Sequence, residues 1–133
     1  MLAGNTVLFC GFGDVGMGCA IAMNAAKARC LATETDRVRG LMAGIEGYQV
    51  ATIETFLPEV DIFITATGSC GLIHVEHMLK MKNNAIMGNM GHFNHEIDLE
   101  SLRKYPGTKP IEVKPDIHRW VFQVGHSITI LAE

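Results

Sequence analysis

Four glycines fall within the eight residues Gly11-Phe12-Gly13-Asp14-Val15-Gly16-Met17-Gly18, where the apolar run Thr6–Cys10 meets an Ala- and Met-rich stretch over Val15–Lys27. The run predicts a strand and the stretch a helix, so the chain must leave a sheet and enter a helix within a few residues. The first six positions fit G-x-G-x-x-G, a pattern that carries meaning only in this strand-to-helix context. Each glycine then has its own task. Gly11 permits the tight turn, Gly13 lets the backbone approach a pyrophosphate, and Gly16 lets the helix lie close to the sheet. The helix N-terminus adds unsatisfied N–H groups and a positive dipole end toward any phosphate. These residues alone do not separate a dinucleotide loop from an ordinary glycine-rich turn. A carboxylate further along favours the dinucleotide: Glu34 follows the next predicted strand, Arg29–Thr33, and lies 18 residues beyond Gly16, where it can accept hydrogen bonds from the adenosine ribose hydroxyls. A carboxylate there repels a 2′-phosphate, so NAD is expected over NADP. Asp36, two residues later, is expected to cap the following helix.

The alternation of β-rich runs and amphipathic stretches continues to about Asp98. It predicts a helix over Arg37–Glu46 closed by Gly47, a strand over Tyr48–Thr52, a short helix at Thr52–Pro58, a strand over Asp61–Thr67, a helix over Val75–Met81 and a fifth strand at Ala85–Asn89. Runs such as Ile62-Phe63-Ile64-Thr65 are apolar on both strand faces, which points to a parallel sheet with helices on each side. The expected fold class is therefore α/β: a doubly wound, mostly parallel sheet of the Rossmann type. After Asp98 the texture changes. The stretch LESLRKYPG reads as one short helix stopped by Pro106-Gly107, and strands follow from Ile111, Arg119 and Ser127 without helices between them; Gly125-His126 reads as a hairpin turn. A short antiparallel C-terminal annex on one sheet edge is expected. The 133 residues read as one dinucleotide-binding domain, with the look of a piece cut from a longer protein because it ends on a strand.

Composition narrows the partners. A formal charge of −3 with eleven scattered Lys and Arg gives no electrostatic footprint for nucleic acid, and no apolar run approaches the roughly 18 residues of a spanning helix. Neither nucleic acid nor a membrane is expected as a partner. Cys10, Cys19, Cys30 and Cys70 stand singly in apolar settings without a C-x-x-C, which predicts buried free thiols in a reducing, cytoplasmic setting.

In open α/β sheets ligands lie beyond the carboxyl ends of the strands. Those ends are Thr65-Ala66-Thr67-Gly68 and Asn89-Met90-Gly91-His92, whose small and polar side chains leave room for a nicotinamide ribose and, at Asn89, a contact for the carboxamide; ordinary turn chemistry explains the same residues. His74 and His77 are three apart on one predicted helix and read as a solvated face. His92 and His95, three apart beside Glu96 and Asp98, make no complete ligand set, so no metal site is expected. His92 at a strand end is better placed for a polar contact or for proton handling.

The stretches CGFGDVGMGCA, TETD, VDIFITATG, MKNNAIMGNMGHFNHEID, RWVF and ITILAE together resemble the NAD-binding domain of the S-adenosylhomocysteine hydrolase family, in one register over essentially the whole chain. The resemblance implies a cytoplasmic homo-oligomer with tightly held NAD. Such an enzyme oxidises the 3′-hydroxyl of the substrate ribose, which acidifies the C4′ proton; it then eliminates homocysteine, adds water and reduces the ketone back. It assigns Gly11, Gly13, Asp14, Val15 and Gly16 to the pyrophosphate loop, Glu34 to the adenosine ribose, Thr65 and Thr67 to the nicotinamide side, and Asn89, Gly91 and His92 to the nicotinamide and substrate edge, with His92 the one candidate catalytic residue. Ala66 and Met90 complete the two strand-end turns.

Four positions depart from the family pattern: Met17 stands where Lys is usual, Arg39 where Asn is usual near the adenosine ribose, Ala66 for the middle Thr, and Gly88 for a Cys. Arg39 is expected to lie close enough to pair with Glu34, which would weaken the preference for NAD. The family's substrate-binding domain and C-terminal tail have no counterpart here, so S-adenosylhomocysteine or adenosine would be met only through those missing parts. Three functions stay open at this point: the cofactor domain of a true hydrolase, a non-catalytic homologue that binds a protein, and a module of a 2-hydroxy-acid dehydrogenase. Retention of GHFNHEID and Glu34 favours the first.

Overall fold

The computed structural model describes residues 3–67, 72–90, 96–123 and 125–131. β1 (Thr6–Cys10) is buried at every position, as an apolar strand between two helical layers must be. It pairs in parallel with β2 (Arg29–Thr33) on one side and with β4 (Ile62–Thr65) on the other. β3 (Gln49–Val50) extends the sheet beyond β2, and β5 (Ala85–Asn89) beyond β4, again in parallel. β6 (Lys109–Lys114), β7 (Ile117–Val121) and β8 (Ser127–Leu131) complete eight strands in the order β3-β2-β1-β4-β5-β8-β7-β6. The doubly wound α/β sheet and its antiparallel C-terminal strands are thus both present. The innermost of those strands, β8, lies parallel to β5, while β7 and β6 run antiparallel beside it.

Side chains alternate along β1 and divide the core in two. Val7 and Phe9 pack with Ala20 of α1 (Asp14–Ala25) and Ala43 of α2 (Arg37–Ile45). Leu8 and Cys10 join the opposite cluster, with Phe56 of α3 (Ile53–Phe56), Met78 of α4 (Val75–Lys80) and Leu102 of α5 (Leu99–Lys104). Burying each large side chain stabilises by about 1.5–3 kcal/mol, and the first cluster can use small residues because α1 approaches the sheet through Gly16 and Ala20.

Several element ends differ from the sequence expectation for local reasons. α1 stops at Ala25 because Lys27 takes a left-handed φ of 68° and Ala28 N–H donates back to the Met23 carbonyl, a helix-terminating pattern that needs no glycine. β3 is shortened to two residues on an exposed edge. β4 ends at Thr65, after which Ala66 and Thr67 turn away from the ladder. α4 stops at Lys80, one residue early. Asp36 does cap α2, its carboxylate accepting from Val38 N–H and Arg39 N–H. The turn at Gly125 closes the β7–β8 hairpin, with Phe122 N–H donating to the His126 carbonyl.

Asp61 ties the start of β1 to the start of β4. Its Oδ2 accepts Thr6 N–H at 2.8 Å and its Oδ1 takes the Lys82 ammonium at 2.7 Å. Burial pushes this carboxyl up, but the Lys82 and Thr6 hydrogen bonds outweigh burial and hold it below the ordinary carboxylate range. A folded-state pKa below the unfolded one means that the stabilisation is fully present above about pH 4 and is lost as pH falls through the lower folded value. Asp61→Asn is expected to cost about 1 kcal/mol at pH 7, a deficit that narrows steadily below about pH 4 in urea denaturation. A deficit independent of pH would mean that the charge contributes nothing.

Candidate functional site

The chain turns outward from β1 through β2 to β3 and then returns to β4 on the other side of β1, so the carboxyl ends of β1 and β4 flank a switch point. Gly11 leaves β1 there with φ +102°. A Cβ at Gly11 would lie 2.8 Å from Thr67 Cγ2 and 3.0 Å from the Ala66 carbonyl, so the loop presses against the end of β4. A Cβ on Gly16 would run into the Gly11 carbonyl oxygen, which makes Gly16 the point where α1 meets the loop. Gly13 is different in kind: among the described residues, a Cβ there would meet only the Arg39 guanidinium, at 3.5 Å. Two of the three motif glycines are therefore demanded by the protein's own packing, and the third opens outward.

Gly13 is also the N-cap of α1, which receives no side-chain cap, and Asp14 and Val15 of its first turn are exposed. The first-turn N–H groups of such a helix are available to an anion. Phe12, between the first two glycines, is buried against Tyr48 with ring centroids 5.3 Å apart and anchors the loop. Met17, on the same turn, packs against the α1-side core, where the usual Lys of the family would carry a charge.

Glu34 stands one residue beyond β2. Its Oε2 accepts Phe12 N–H at 2.7 Å, and its Oε1 accepts Thr35 N–H and Asp36 N–H at 3.0 and 3.1 Å. These bonds fix the carboxylate beside the glycine loop; with about four acceptor positions in all, it keeps capacity for a hydroxyl. Arg39 lies over Gly13 rather than on Glu34, whose bonds go to backbone N–H groups. The expected Glu34–Arg39 pair is thus replaced by a guanidinium at the mouth of the loop. Thr33, Glu34, Thr35, Thr67 and Leu72 line a small cleft that joins this end of the site to the end of β4.

At that end, Thr65 Oγ1 donates to Asn89 Oδ1 at 3.2 Å across neighbouring strands. Met90 N–H continues the ladder to the Thr65 carbonyl. Thr67 N–H and its hydroxyl both donate to Glu96 Oε1, each at 2.6 Å, and Glu96 is fully buried. A Cβ at Gly88 in β5 would lie 4.0 Å from Leu131 Cδ1 of β8, which leaves space where the family's usual Cys would sit. Cys10 closes β1 at the same place. Burial first, and then the Glu96 charge, push its thiol up to about 12, so it is an inert core side chain. Cys10, Cys19 and Cys30 are free thiols, but only Cys10 is fully buried, a correction to the expectation for all of them.

Gly91, His92 and His95 lie outside the described residues, as do Gly68 and Cys70. His77 does not sit on a solvated face: its side chain is 15% exposed, its Nδ1 accepts His74 N–H at 3.0 Å, and its Nε2 lies 3.1 Å from Glu54 Oε1. Its partners lie upstream and on α3, which no helical spacing reveals. Among the described residues no three His, Cys, Asp or Glu side chains converge on a metal-sized site, and no helix is long and apolar enough to cross a membrane.

The opening at Gly13, the uncapped start of α1 and the fixed Glu34 carboxylate fit a dinucleotide. The model of the family described as S-adenosyl-L-homocysteine hydrolase, NAD binding domain, matches residues 1–133. The chain belongs to that family. It is 50% identical over 134 residues to an adenosylhomocysteinase of Triticum aestivum and 52% identical to one of Solanum lycopersicum, covering the whole of this chain and 28% of each relative. This adenosylhomocysteinase-family domain therefore spans under a third of those relatives' length. Its fold also resembles that of one dipicolinate synthase subunit from Bacillus halodurans (TM-score 0.69, 18% identity, 78% of this chain and 36% of that one). A similar likeness holds for a D-lactate dehydrogenase of Salmonella (TM-score 0.63, 20% identity, 77% and 33%). At such identities the likeness is one of fold. The dehydrogenase reading is not favoured, because sequence similarity over the full chain places the domain with the hydrolases, and the cofactor of that family is NAD.

Proposed function

We propose that this domain holds NAD for an enzyme that reversibly hydrolyses S-adenosyl-L-homocysteine to adenosine and L-homocysteine. The observation that carries this reading is identity of about one half, over the whole chain, to adenosylhomocysteinases. Bound NAD supplies a hydride acceptor for the carbon bearing the substrate's 3′-hydroxyl. Gly11, Gly13, Asp14, Val15 and Gly16 hold the pyrophosphate against the start of α1, with the Arg39 guanidinium beside it. Glu34 takes the adenosine ribose hydroxyls. Thr65, Ala66, Thr67, Asn89, Met90 and Gly91 flank the nicotinamide, and His92 meets the substrate edge. Removal of the C4′ proton, protonation of the departing thiolate and exclusion of water fall to a substrate-binding domain and C-terminal tail outside these 133 residues.

The parent protein works as a homo-oligomer in the cytoplasm. Val38, Leu41 and Ile45 on one side of α2 are 66–74% exposed and belong to neither buried cluster, which suits a helix face covered by more protein. Free Cys10, Cys19 and Cys30 suit a reducing compartment.

The test compares the isolated 133-residue chain with the full gene product, both saturated with NAD and given S-adenosylhomocysteine. The full product is expected to show reduced-nicotinamide absorbance in a single turnover and to release thiol, and the isolated chain to do neither. In the full product His92→Ala is expected to slow the oxidation step more than it weakens NAD binding. Turnover by the isolated chain contradicts the division of labour; a full product that binds NAD but releases no thiol is a non-catalytic homologue.

A further inference from the structure

The glycine loop and the helix it opens carry no cation of their own. From Gly11 to Ala25 the one charged residue is Asp14, in the first turn of α1, and Met17 on the same turn packs against the core. Glu34 and Asp36, which border the loop from the end of β2, are acidic as well. A dinucleotide brings a negatively charged diphosphate into these surroundings, so its binding needs a positive group from elsewhere in the fold. Arg39 of α2 reaches the loop. A Cβ built on Gly13 would lie 3.5 Å from Arg39 Nη1 and 3.7 Å from its Cζ. The backbone explains this placement: Glu34 accepts Phe12 N–H from the loop and also Thr35 N–H and Asp36 N–H, and Asp36 in turn accepts Val38 N–H and Arg39 N–H. Two side-chain carboxyl groups in succession thus tie the start of α2, and Arg39 with it, to the glycine loop.

We infer that Arg39 is the cation that neutralises the dinucleotide's diphosphate, and that it acts on the diphosphate and not on a 2′-phosphate. The inference rests on the reading that the pyrophosphate lies against this loop. Position separates the two roles. The guanidinium lies over Gly13, the glycine whose Cβ direction opens outward, whereas the ribose hydroxyls fall to Glu34 at the end of β2. Arg39 is exposed, and an arginine stays charged throughout the pH range of a folded protein. Its planar fork can give parallel hydrogen bonds to phosphoryl oxygens. The diphosphate is common to NAD and NADP, so Arg39 strengthens the binding of both by the same factor and leaves the choice between them to Glu34.

The test titrates the full gene product with NAD and with NADP by calorimetry, at low and at high salt. Arg39→Ala and Arg39→Gln are each expected to weaken NAD by about ten-fold at low salt, the worth of one charge-assisted contact at an exposed site. NADP weakens by the same factor, so the ratio of the two affinities stays within about two-fold of the native value. The loss shrinks as salt screens the charge, and the denaturation midpoint does not move. Arg39→Lys, which keeps the charge without the fork, falls between the native protein and Arg39→Ala. Arg37→Ala removes an equal charge from the same turn of α2 and changes NAD affinity by less than about two-fold.

Native-like NAD affinity in both uncharged Arg39 variants overturns the inference. A loss confined to NADP also overturns it, since the guanidinium would then read the 2′-phosphate. So does an equal loss in Arg37→Ala, which would reduce Arg39 to one charge among several. A native protein that binds neither dinucleotide takes the pyrophosphate off this loop; that reading then fails, and the inference with it.

Discussion

Gly16→Ala is expected to destabilise the fold by about 3 kcal/mol or more, because the added methyl meets backbone, the Gly11 carbonyl oxygen, which cannot rotate away as a side-chain end would. Relief requires α1 to lift from the sheet, opening the contact between Ala20 and the β1 side chains Val7 and Phe9. Urea denaturation reads the loss directly. Gly18→Ala is the internal control: Gly18 lies on the same helix with nothing within 4 Å of its Cβ position, so that substitution is expected to stabilise by up to about 1 kcal/mol through helix propensity. Equal effects at the two positions would show that the close approach of α1 to the loop is not a stability determinant.

Gly13→Val is expected to do the reverse, lowering NAD affinity by about a hundred-fold or more while leaving the denaturation midpoint in place. Gly13 has an extended backbone, φ −86° and ψ −161°, that a β-branched residue adopts without strain. Among the described residues, the space into which Val would project holds only the end of the flexible Arg39 side chain. The protein tolerates the branched side chain; a pyrophosphate lying against the loop does not. A Val variant that binds NAD normally would remove the pyrophosphate from this loop, whereas one that loses stability in step with affinity would make Gly13 a packing residue like Gly16.

The contrast between these two glycines shows what is legible in the chain. The motif, its strand-to-helix context, Glu34 and the Asp36 cap are local patterns, and the structure places all of them together at the carboxyl ends of β1 and β2. The hairpin at Gly125 is legible for the same reason. That β8 returns parallel to β5 is not, since a strand's direction depends on its partner and not on its own residues. In the sequence Glu96 is only one of several acidic and histidine residues in a polar stretch. It is buried and bonded to Thr67, 29 residues earlier, and no periodicity signals that. Arg39 and His77 escape sequence reasoning in the same way: the place of each side chain is set by tertiary packing, over Gly13 for one and beside Glu54 for the other.

The central claim is that the glycine loop and Glu34 together make an NAD site. The most direct test is calorimetric titration of the 133-residue chain with NAD and NADP under identical low-salt conditions. The account predicts one NAD per chain and NADP binding weaker by about ten-fold or more, because the 2′-phosphate would be brought against a carboxylate already fixed by three backbone N–H groups. Absence of NAD binding, or NADP binding as tight as NAD, would contradict it.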